Sequence, residues 1–459
     1  MERSLAGHVR AVRLALGALG ALWATACARA APGAAASATV PAATVPAAAV
    51  SPVGVLAGAG RTLALVNGRW LLGGRFVAVT RYVVDGALRD RAPGRPDSTL
   101  DLQGGFVVPP FGEAHNHNLE ASARVDALIA RYLRDGVFYV ENPSVLPRNR
   151  AALAGKVNTP TGVDATFANG GLTSPGGHPI EIVRRNIARG VWTAADGEGT
   201  FYWEIGNADD LARKWPAILA QRPDFLKVFL LYSEEYERRR ADTAAVGWRG
   251  LNPALLPDVV RRAHAASLRV AAHVETAADF RTAVAAGVDQ VAHMPGFRGD
   301  EHGHLADPAP YSLTDADARD AARRGVVVVT TLSGAGELDP SGADSLTRRA
   351  FDALHRRNLA TLRRAGVRLA VGSDTYRDDS KAEVRYLHAL GVFSDTALVQ
   401  LWSHDTPRAI FPTRAVGRLD AGAEASFLVL GCNPLVRFAC TDEIRLRVKD
   451  GRVLPTPPP

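Results

Sequence analysis

The middle of the chain alternates short apolar runs with helical stretches, and this rhythm limits the folds open to it. Eight runs have the length and composition of buried strands. They are 107–111, 137–141, 163–169, 226–231, 268–274, 288–294, 326–332 and 367–374. Glycine stands at several helix-to-strand joints, as at Gly287 and Gly325, which is where a helix end favours it. Eight strand–helix units predict an α/β fold, a (β/α)8 TIM barrel over 107–411.

The helical stretches between these runs follow the apolar spacing of amphipathic helices. The predicted helices include 121–134, 207–220, 257–266, 277–286, 315–324 and 346–365. The third unit is the least regular, because the loop 170–206 after its strand is rich in glycine and proline.

The two ends of the chain have a different sequence pattern from the middle. Short β-prone runs separated by Gly, Asn and Asp occupy 62–107, and the same pattern returns over 417–454. We therefore predict a small β-sandwich domain built from both ends, 52–106 with 412–459.

The N-terminus predicts export to the periplasm or medium. Arg3, Arg10 and Arg13 precede an apolar run and then small residues, the order of a signal peptide over 1–30. Cys27 leaves lipoprotein anchoring open as an alternative, and this anchor is the only membrane contact predicted. Residues 31–51 are nearly all Ala, Pro, Val, Thr and Ser, a composition typical of a flexible tether.

Two cysteines remain beyond the signal, Cys432 and Cys440. In an oxidising compartment they form either a disulfide or two buried thiols, and spacing alone does not decide between them.

Charge argues against a nucleic-acid partner. The formal net charge is +7, but the arginines are scattered and no basic patch with interleaved aromatics occurs. A small-molecule substrate is the partner predicted, and the oligomeric state stays open.

Ligand-type residues stand at or near the ends of the predicted strands. His115 and His117 are two residues apart after the first run, so both rings face one side of a strand. Four further residues follow on later strands: Lys227, His273, His293 and Asp374. Because barrel strand ends converge on one face, the six predict one metal centre.

Lys227 lies within an apolar run, where a charged amine is costly to bury. An amine of lowered pKa reacts with CO2 to give a carbamate, and that anion bridges two metal ions as a carboxylate does. We therefore interpret Lys227 as a carbamylated bridging ligand.

These motifs resemble those of a known family. The segment 109–117, Pro-Pro-Phe-Gly-Glu-Ala-His-Asn-His, is similar to the strand-one motif of the amidohydrolase superfamily. The later Lys, His, His and Asp match the order of that superfamily, in the branch with imidazolonepropionase-like enzymes and dipeptidases. Glu113 departs from it, because the family usually has Asp two residues before the first His.

The resemblance implies a hydrolase with two divalent ions, zinc by the ligand set. His115, His117 and Asp374 would hold one ion, His273 and His293 the other, with Lys227 between them. A bridging hydroxide would attack an amide, cyclic amide or dipeptide, and Asp374 would pass its proton to the leaving amine. The alternatives are an ester or lactone hydrolase with this site and a non-catalytic binding protein on the same scaffold.

Two other residues are candidates for substrate contact. His178 lies on the long loop after the third strand, and Tyr232 directly follows the fourth. A surface-loop histidine is the alternative interpretation of His178.

Overall fold

The protein is analysed as a computed structural model that describes residues 61–120, 124–300, 302–334 and 345–455. The predicted signal peptide over 1–30 with Cys27, and the tether over 31–51, lie outside the described residues. None of the described helices is long and apolar enough to cross a membrane.

Strands occur throughout the described chain, from its first residues to its last. They are Thr62–Val66 (β1), Arg69–Leu72 (β2), Arg75–Ala78 (β3), Arg81–Val84 (β4), Ala87–Arg89 (β5), Ser98–Asp101 (β6), Phe106–Val108 (β7), Phe111–Glu113 (β8), Val137–Asn142 (β9), Asp164–Phe167 (β10), Gly171–Thr173 (β11), Tyr202–Glu204 (β12), Leu226–Phe229 (β13), Val270–His273 (β14), Gln290–Val291 (β15), Val327–Val329 (β16), Arg368–Ala370 (β17), Phe427–Leu430 (β18), Ile444–Lys449 (β19) and Arg452–Val453 (β20).

Helices fill the intervals of the middle part. They are Val125–Arg134 (α1), Pro147–Ala152 (α2), Ile180–Ala188 (α3), Ala208–Ala220 (α4), Tyr236–Ala241 (α5), Leu256–Ala265 (α6), Ala277–Ala286 (α7), Asp315–Arg324 (α8), Ser345–Arg364 (α9), Ser380–Leu390 (α10), Asp395–Gln400 (α11) and Thr406–Ile410 (α12).

The helix α7 shows how local sequence sets these bounds. The Thr276 side chain accepts from the backbone N–H of Asp279, and the Asp279 carboxylate accepts from the N–H of Thr276 in return. Gly287 ends the helix at φ 85°, a left-handed conformation that only glycine adopts without strain. The prediction of a helix over 277–286 is confirmed.

The strands that carry the candidate ligands form two parallel sheets. One has the order β10-β9-β8, and the other β12-β11-β13-β14-β15-β16-β17. Neighbouring strands pair in parallel, as in the register of Lys227 with Ala271 and of Phe229 with His273. Helices between successive strands make this the α/β architecture that was predicted.

The first predicted strand, 107–111, is wrong as a single element. It divides into β7 and β8 at Pro109 and Pro110, which lack the N–H groups that a continuous ladder needs. The strand β7 pairs with β18 in a different sheet, whereas β8 pairs with β9.

The third unit divides as well. The strand β10 pairs with β9, and β11 pairs with β12 and β13 in the second parallel sheet. Between them Asn169 adopts φ 62°, a left-handed turn that Asn tolerates better than most residues. The loop after Gly170 therefore contains β11, α3 and β12, none of which its composition had indicated.

Strands from the two ends of the chain form two further sheets, the first from N-terminal strands and the second from strands of both ends. Their orders are β5-β4-β1-β6 and β20-β19-β18-β7-β2-β3. One apolar cluster joins them, with Leu63, Trp70 and Val107 from the first end and Phe427 and Val448 from the second. The Trp70 and Phe427 rings lie 5.2 Å apart. Cys432 and Cys440, just after β18, form a disulfide.

A buried ion pair fastens the C-terminal strand β19 to β10. The Lys449 ammonium lies 2.8 Å from Asp164 Oδ1 and donates to the Thr159 carbonyl at 2.6 Å. The Lys449 and Asp164 side chains are 2% and 7% exposed, so water screens the pair little. Arg414 approaches the other oxygen of Asp164 at 2.8 Å.

Asp164→Asn is expected to lower the free energy of unfolding by about 3 kcal/mol, because it removes the buried counter-charge of the Lys449 cation and leaves the more distant, exposed Asp450 carboxylate. Denaturant unfolding followed by tryptophan fluorescence measures the change. Asp450→Asn is the matched control, since that carboxylate is 39% exposed and lies 3.5 Å from the same ammonium. Equal stability of the two variants would show that the buried pair contributes nothing.

Candidate metal centre

All six predicted ligands lie at one end of the parallel sheets. His115 and His117 follow β8, and Lys227 lies within β13. The others are His273, the last residue of β14, His293, just after β15, and Asp374, just after β17. The carboxyl ends of parallel strands therefore bring five of the side chains together, and Lys227, two residues before the end of β13, lines the same cavity.

Asp374 is the centre of this arrangement. Its Oδ1 lies 3.0 Å from His117 Nε2 and 3.4 Å from His115 Nε2, and its Oδ2 lies 3.6 Å from His293 Nδ1. The residue adopts φ 49°, a conformation disfavoured for a non-glycine residue. Its backbone N–H donates to the His115 carbonyl at 2.8 Å, which holds it in place.

Three of these residues form the tightest group of donors. One ligand atom from each of His115, His293 and Asp374 lies within 4.8 Å of the other two, a spacing that one ion can span. This group differs from the predicted division of ligands, because it includes His293 and leaves out His117. The His273 ring is 4.5 Å from the His293 ring, and the His117 ring is 5.4 Å from the His115 ring, centroid to centroid. Imidazole and carboxylate donors in this number suit zinc and similar divalent ions.

Buried partners fix the orientation of the histidine rings. His117 Nδ1 lies 2.5 Å from Glu120 Oε1, so Nε2 is the nitrogen turned toward Asp374. His273 Nε2 lies 2.8 Å from Glu275 Oε1, so Nδ1 is the ring nitrogen that remains to bind a metal ion. A carboxylate on one ring nitrogen sets the tautomer and strengthens the other as a metal ligand.

His293 has a neutral partner instead. Its Nδ1 lies 3.0 Å from Thr331 Oγ1, and its ring stacks on Phe297 at 4.2 Å between centroids. Thr331 itself follows β16 and adopts φ 53°.

Lys227 is 2% exposed, with its ammonium 5.6 Å from the centre of the Phe229 ring. Burial lowers the pKa of this ammonium to about 8, although the carboxylates of Asp374 and Glu141 act in the opposite direction. A larger fraction of neutral amine is therefore present near pH 7 than for an exposed lysine.

The two histidines of the H-x-H motif differ in charge. Burial and, after it, the nearby Lys227 ammonium lower the pKa of His115 to about 3, although the Asp374 carboxylate acts to raise it. Burial also acts to lower the pKa of His117, but Glu120 and Asp374 outweigh it and raise that pKa to about 10. A metal ion bound to His117 must therefore displace a proton.

Asp374 is held as an anion. Burial alone would raise the pKa of its carboxyl, but the His293 and His115 imidazoles dominate and hold the pKa well below its ordinary value.

Glu113 accounts for the departure from the usual strand-one motif. The residue is fully buried, and its Oε2 accepts from the Ser373 hydroxyl at 2.6 Å. Its Oε1 accepts from the backbone N–H groups of Ser373 at 3.0 Å and His115 at 3.2 Å. The longer side chain thus joins the strand-one loop to the loop that carries Asp374.

The six side chains line a cavity of about 330 Å³. Its remaining wall is largely apolar and includes Ile182, Phe201, Phe229, Phe297 and Tyr376. Such a wall excludes water from the reacting groups and binds apolar parts of a ligand.

Of the two predicted substrate residues, one lines the cavity and the other does not. His178 lines the cavity, 5.3 Å from the His273 ring, and its Nδ1 lies 2.6 Å from Glu181 Oε1. Tyr232 does not line it: its ring packs under the Arg239 guanidinium at 3.9 Å, and its N–H donates to Asp279.

Arg298 is a polar group of the cavity wall that sequence reasoning missed. Its guanidinium pairs with the buried Glu275 carboxylate through Nε, at 3.3 Å, and through Nη2. Two carboxylates, Glu120 and Glu275, were missed as well. Their signal was position, since each follows a ligand histidine by two or three residues.

Glu120→Ala is expected to weaken metal binding by about 10- to 100-fold, because His117 loses the carboxylate that orients it. Competition with a chromophoric chelator measures the dissociation constant without any assay of turnover. Glu237→Ala serves as control, since that side chain is 73% exposed and pairs with Arg240. An unchanged constant would exclude Glu120 as a positioning residue.

Comparison with known proteins shows which solved structures share this fold. No family model matches the chain, and no curated protein matches it by sequence. Solved structures do match. An amidohydrolase crystal structure is 20% identical with a TM-score of 0.63, over 86% of this chain and 98% of that one. The chain has the amidohydrolase fold.

Two further structures with this fold are similar. A prolidase complexed with N-methylphosphonate-L-proline is 16% identical with a TM-score of 0.63, over 86% of this chain and 99% of that one. The ochratoxinase of A. niger is 15% identical with a TM-score of 0.65, over 86% and 96%. The predicted resemblance to the amidohydrolase superfamily is confirmed at the level of fold.

Proposed function

We propose that the chain is a metal-dependent hydrolase that cleaves a C–N bond of an amide, cyclic amide or dipeptide. The observation that carries the proposal is the convergence of four imidazoles, one carboxylate and one buried lysine on a single cavity. The structures with this fold support the same class of bond, since they include a prolidase, a Xaa-Pro dipeptidase and a phenylurea hydrolase.

The proposal includes a closed (β/α)8 barrel formed by the two parallel sheets together. Backbone hydrogen bonds connect their edges, among them those from the Ala114 N–H to the Val371 carbonyl at 2.7 Å and from the Asp224 N–H to the Phe167 carbonyl at 2.8 Å. We likewise propose that the two sheets from the chain ends form a β-sandwich domain, 52–106 with 412–459.

The donor set fits two divalent ions, and zinc matches its imidazole and carboxylate character. His115, His117 and Asp374 would hold one ion, and His273 and His293 the other, with Lys227 as a carbamate between them. When bound, such a pair activates water and polarises the scissile carbonyl.

Asp374 is suited to move the proton. Its carboxylate is 24% exposed, whereas the side chains of His115 and His293 are each 2% exposed, so substrate reaches it from the cavity. We assign it to accept a proton from the attacking water and to return that proton to the leaving nitrogen. The hydrogen bond from the Asp374 backbone N–H to the His115 carbonyl holds Asp374 in position for this transfer.

The wall residues of the cavity are assigned to substrate binding. Phe297 stacks on His293 and Tyr376 on His117, so both aromatic rings offer an apolar face beside the candidate ligands. Arg298 and His178 offer donors at this wall, each backed by a carboxylate, for the polar atoms of a substrate.

The test is hydrolysis by the full chain loaded with zinc, assayed on N-acyl amino acids, Xaa-Pro dipeptides, cyclic amides and the matching esters and lactones. Cleavage of a C–N bond with about two metal ions per chain supports the proposal. Cleavage of esters or lactones alone would favour the ester hydrolase. Tight metal binding without turnover of any substrate would favour a binding protein.

We also propose that the protein is exported and loses its first 26 to 30 residues. Mass spectrometry of the mature protein from its native host is expected to show a start between Cys27 and Ala31. A diacylglyceryl mass on Cys27 would establish the lipid anchor, and an intact Met1 would refute export.

A further inference from the structure

A second cavity, of about 590 Å³, lies at the opposite ends of the parallel strands from the metal centre. Val327 and Arg368, the first residues of β16 and β17, line it. The metal-centre residues His293 and Asp374 instead follow the carboxyl ends of strands in this sheet. The cavity is therefore separate from the site of the proposed reaction.

Three arginines define this cavity, which we name the arginine groove: Arg363 on α9, Arg368 on β17 and Arg408 on α12. Arg363 donates to the Val392 carbonyl, and Arg368 to the Gly325 carbonyl. Arg408 Nη1 lies 3.1 Å from His404 Nε2. Among the described residues, none of the three guanidinium groups has a carboxylate partner.

Other arginines nearby, on α9 and α8, do have carboxylate partners. Arg364, next to Arg363, lies 2.9 Å from Asp315, and Arg324 lies 3.2 Å from Asp320. The guanidinium groups of the three groove arginines instead contact backbone carbonyls, an imidazole and, for Arg363, the Phe393 ring at 4.5 Å.

The carboxylates near the groove are engaged with other groups. Asp405 Oδ1 lies 2.6 Å from His404 Nδ1. In an adjoining cavity of about 340 Å³, which shares Arg368 and Arg408, Asp289 Oδ2 lies 2.9 Å from His264 and accepts from the Val270 N–H. Asp405 also lines the groove and is the one carboxylate among its described lining residues, so three guanidinium groups share a single fixed negative charge there.

We propose that the arginine groove binds a phosphate-bearing ligand with at least two negative charges. A guanidinium presents paired N–H donors that match the spacing of phosphate oxygens, and three of them around one cavity favour a multiply charged group. The volume lies within the range of small-molecule sites. Two sources offer this chemistry, a soluble phosphorylated molecule and the headgroup of an anionic phospholipid.

The experiment titrates the full chain with pyrophosphate by calorimetry at low salt. Because pyrophosphate also binds metal ions, the titration is repeated in His115→Ala, which alters the metal centre and retains the groove. Arg368→Ala and Arg363→Ala are each expected to weaken binding by about tenfold, the loss of one charge-assisted hydrogen bond. Arg364→Ala is the matched control and is expected to leave the affinity within about twofold.

A second arm distinguishes the two sources. Sedimentation with vesicles that contain cardiolipin, whose headgroup carries two phosphates, against vesicles of phosphatidylcholine alone, measures headgroup binding. Pyrophosphate binding or cardiolipin binding that falls in the groove variants and not in Arg364→Ala supports the site and indicates which of the two sources it accepts. No binding in either arm would overturn the proposal. An equal loss of binding in Arg363→Ala, Arg368→Ala and the control Arg364→Ala would overturn it as well.

Discussion

His117→Ala is expected to abolish hydrolysis and to lower the metal content of the purified chain, while the fold stays intact. The variant removes a donor whose Nε2 lies 3.0 Å from Asp374 and leaves the strands beneath it unchanged. Since loss of an outer partner of a metal ligand already costs 10- to 100-fold, loss of the ligand itself is expected to exceed about 100-fold in activity. Elemental analysis and turnover on any amide found as a substrate measure both effects.

The control is His388→Ala, which removes an exposed histidine that contacts Asp395 far from the cavity. It is expected to keep its metal and its activity. If His117→Ala kept near-normal turnover with a circular dichroism spectrum like that of the unchanged chain, the proposed centre would be wrong.

Lys227→Ala is expected to lose most activity and to regain part of it when a short carboxylic acid is added. The amine is buried and its pKa is lowered to about 8, which favours reaction with CO2 over protonation as compared with an exposed lysine. The shortened side chain leaves a gap in which formate, acetate or propionate can supply the missing carboxylate. Activity against acid concentration measures the rescue.

Lys227→Arg separates this role from simple packing. Its guanidinium fills the gap and stays positive, so added acid is expected to restore nothing. Full activity of Lys227→Ala without any acid would show that Lys227 is an ordinary buried lysine, and the centre would then be better described with one ion.

The sequence indicated the candidate site because two independent patterns coincided there. Strand rhythm predicted where β14, β15 and β17 end, and His273, His293 and Asp374 stood at or just after those ends. Parallel strands align their carboxyl ends, so these three side chains meet without any knowledge of the loops, and Lys227 within β13 lines the same cavity. The helix over 277–286 was predictable for a similar reason, since Thr276 and Gly287 mark its two ends.

What the sequence did not reveal depends on contacts between distant segments. Glu275 is one more acidic residue in sequence, and only the fold places Arg298 against it. Pro109 and Pro110 mark the division between β7 and β8, but only the fold shows that β7 pairs with the distant β18. The short strands β11 and β12 have few residues of their own to signal a strand, and each forms because a neighbour is present.

The pairing of β7 with β18 has a consequence for how the chain folds. Val107 pairs with Val429, so a strand made early during synthesis has no partner on that side until almost the whole chain has been made. Pairings between such distant segments are slow to form, because the loop between them must close first. We therefore expect the N-terminal strands to remain open to chaperones or a translocation machinery during synthesis, and the parallel sheets between them to become ordered first.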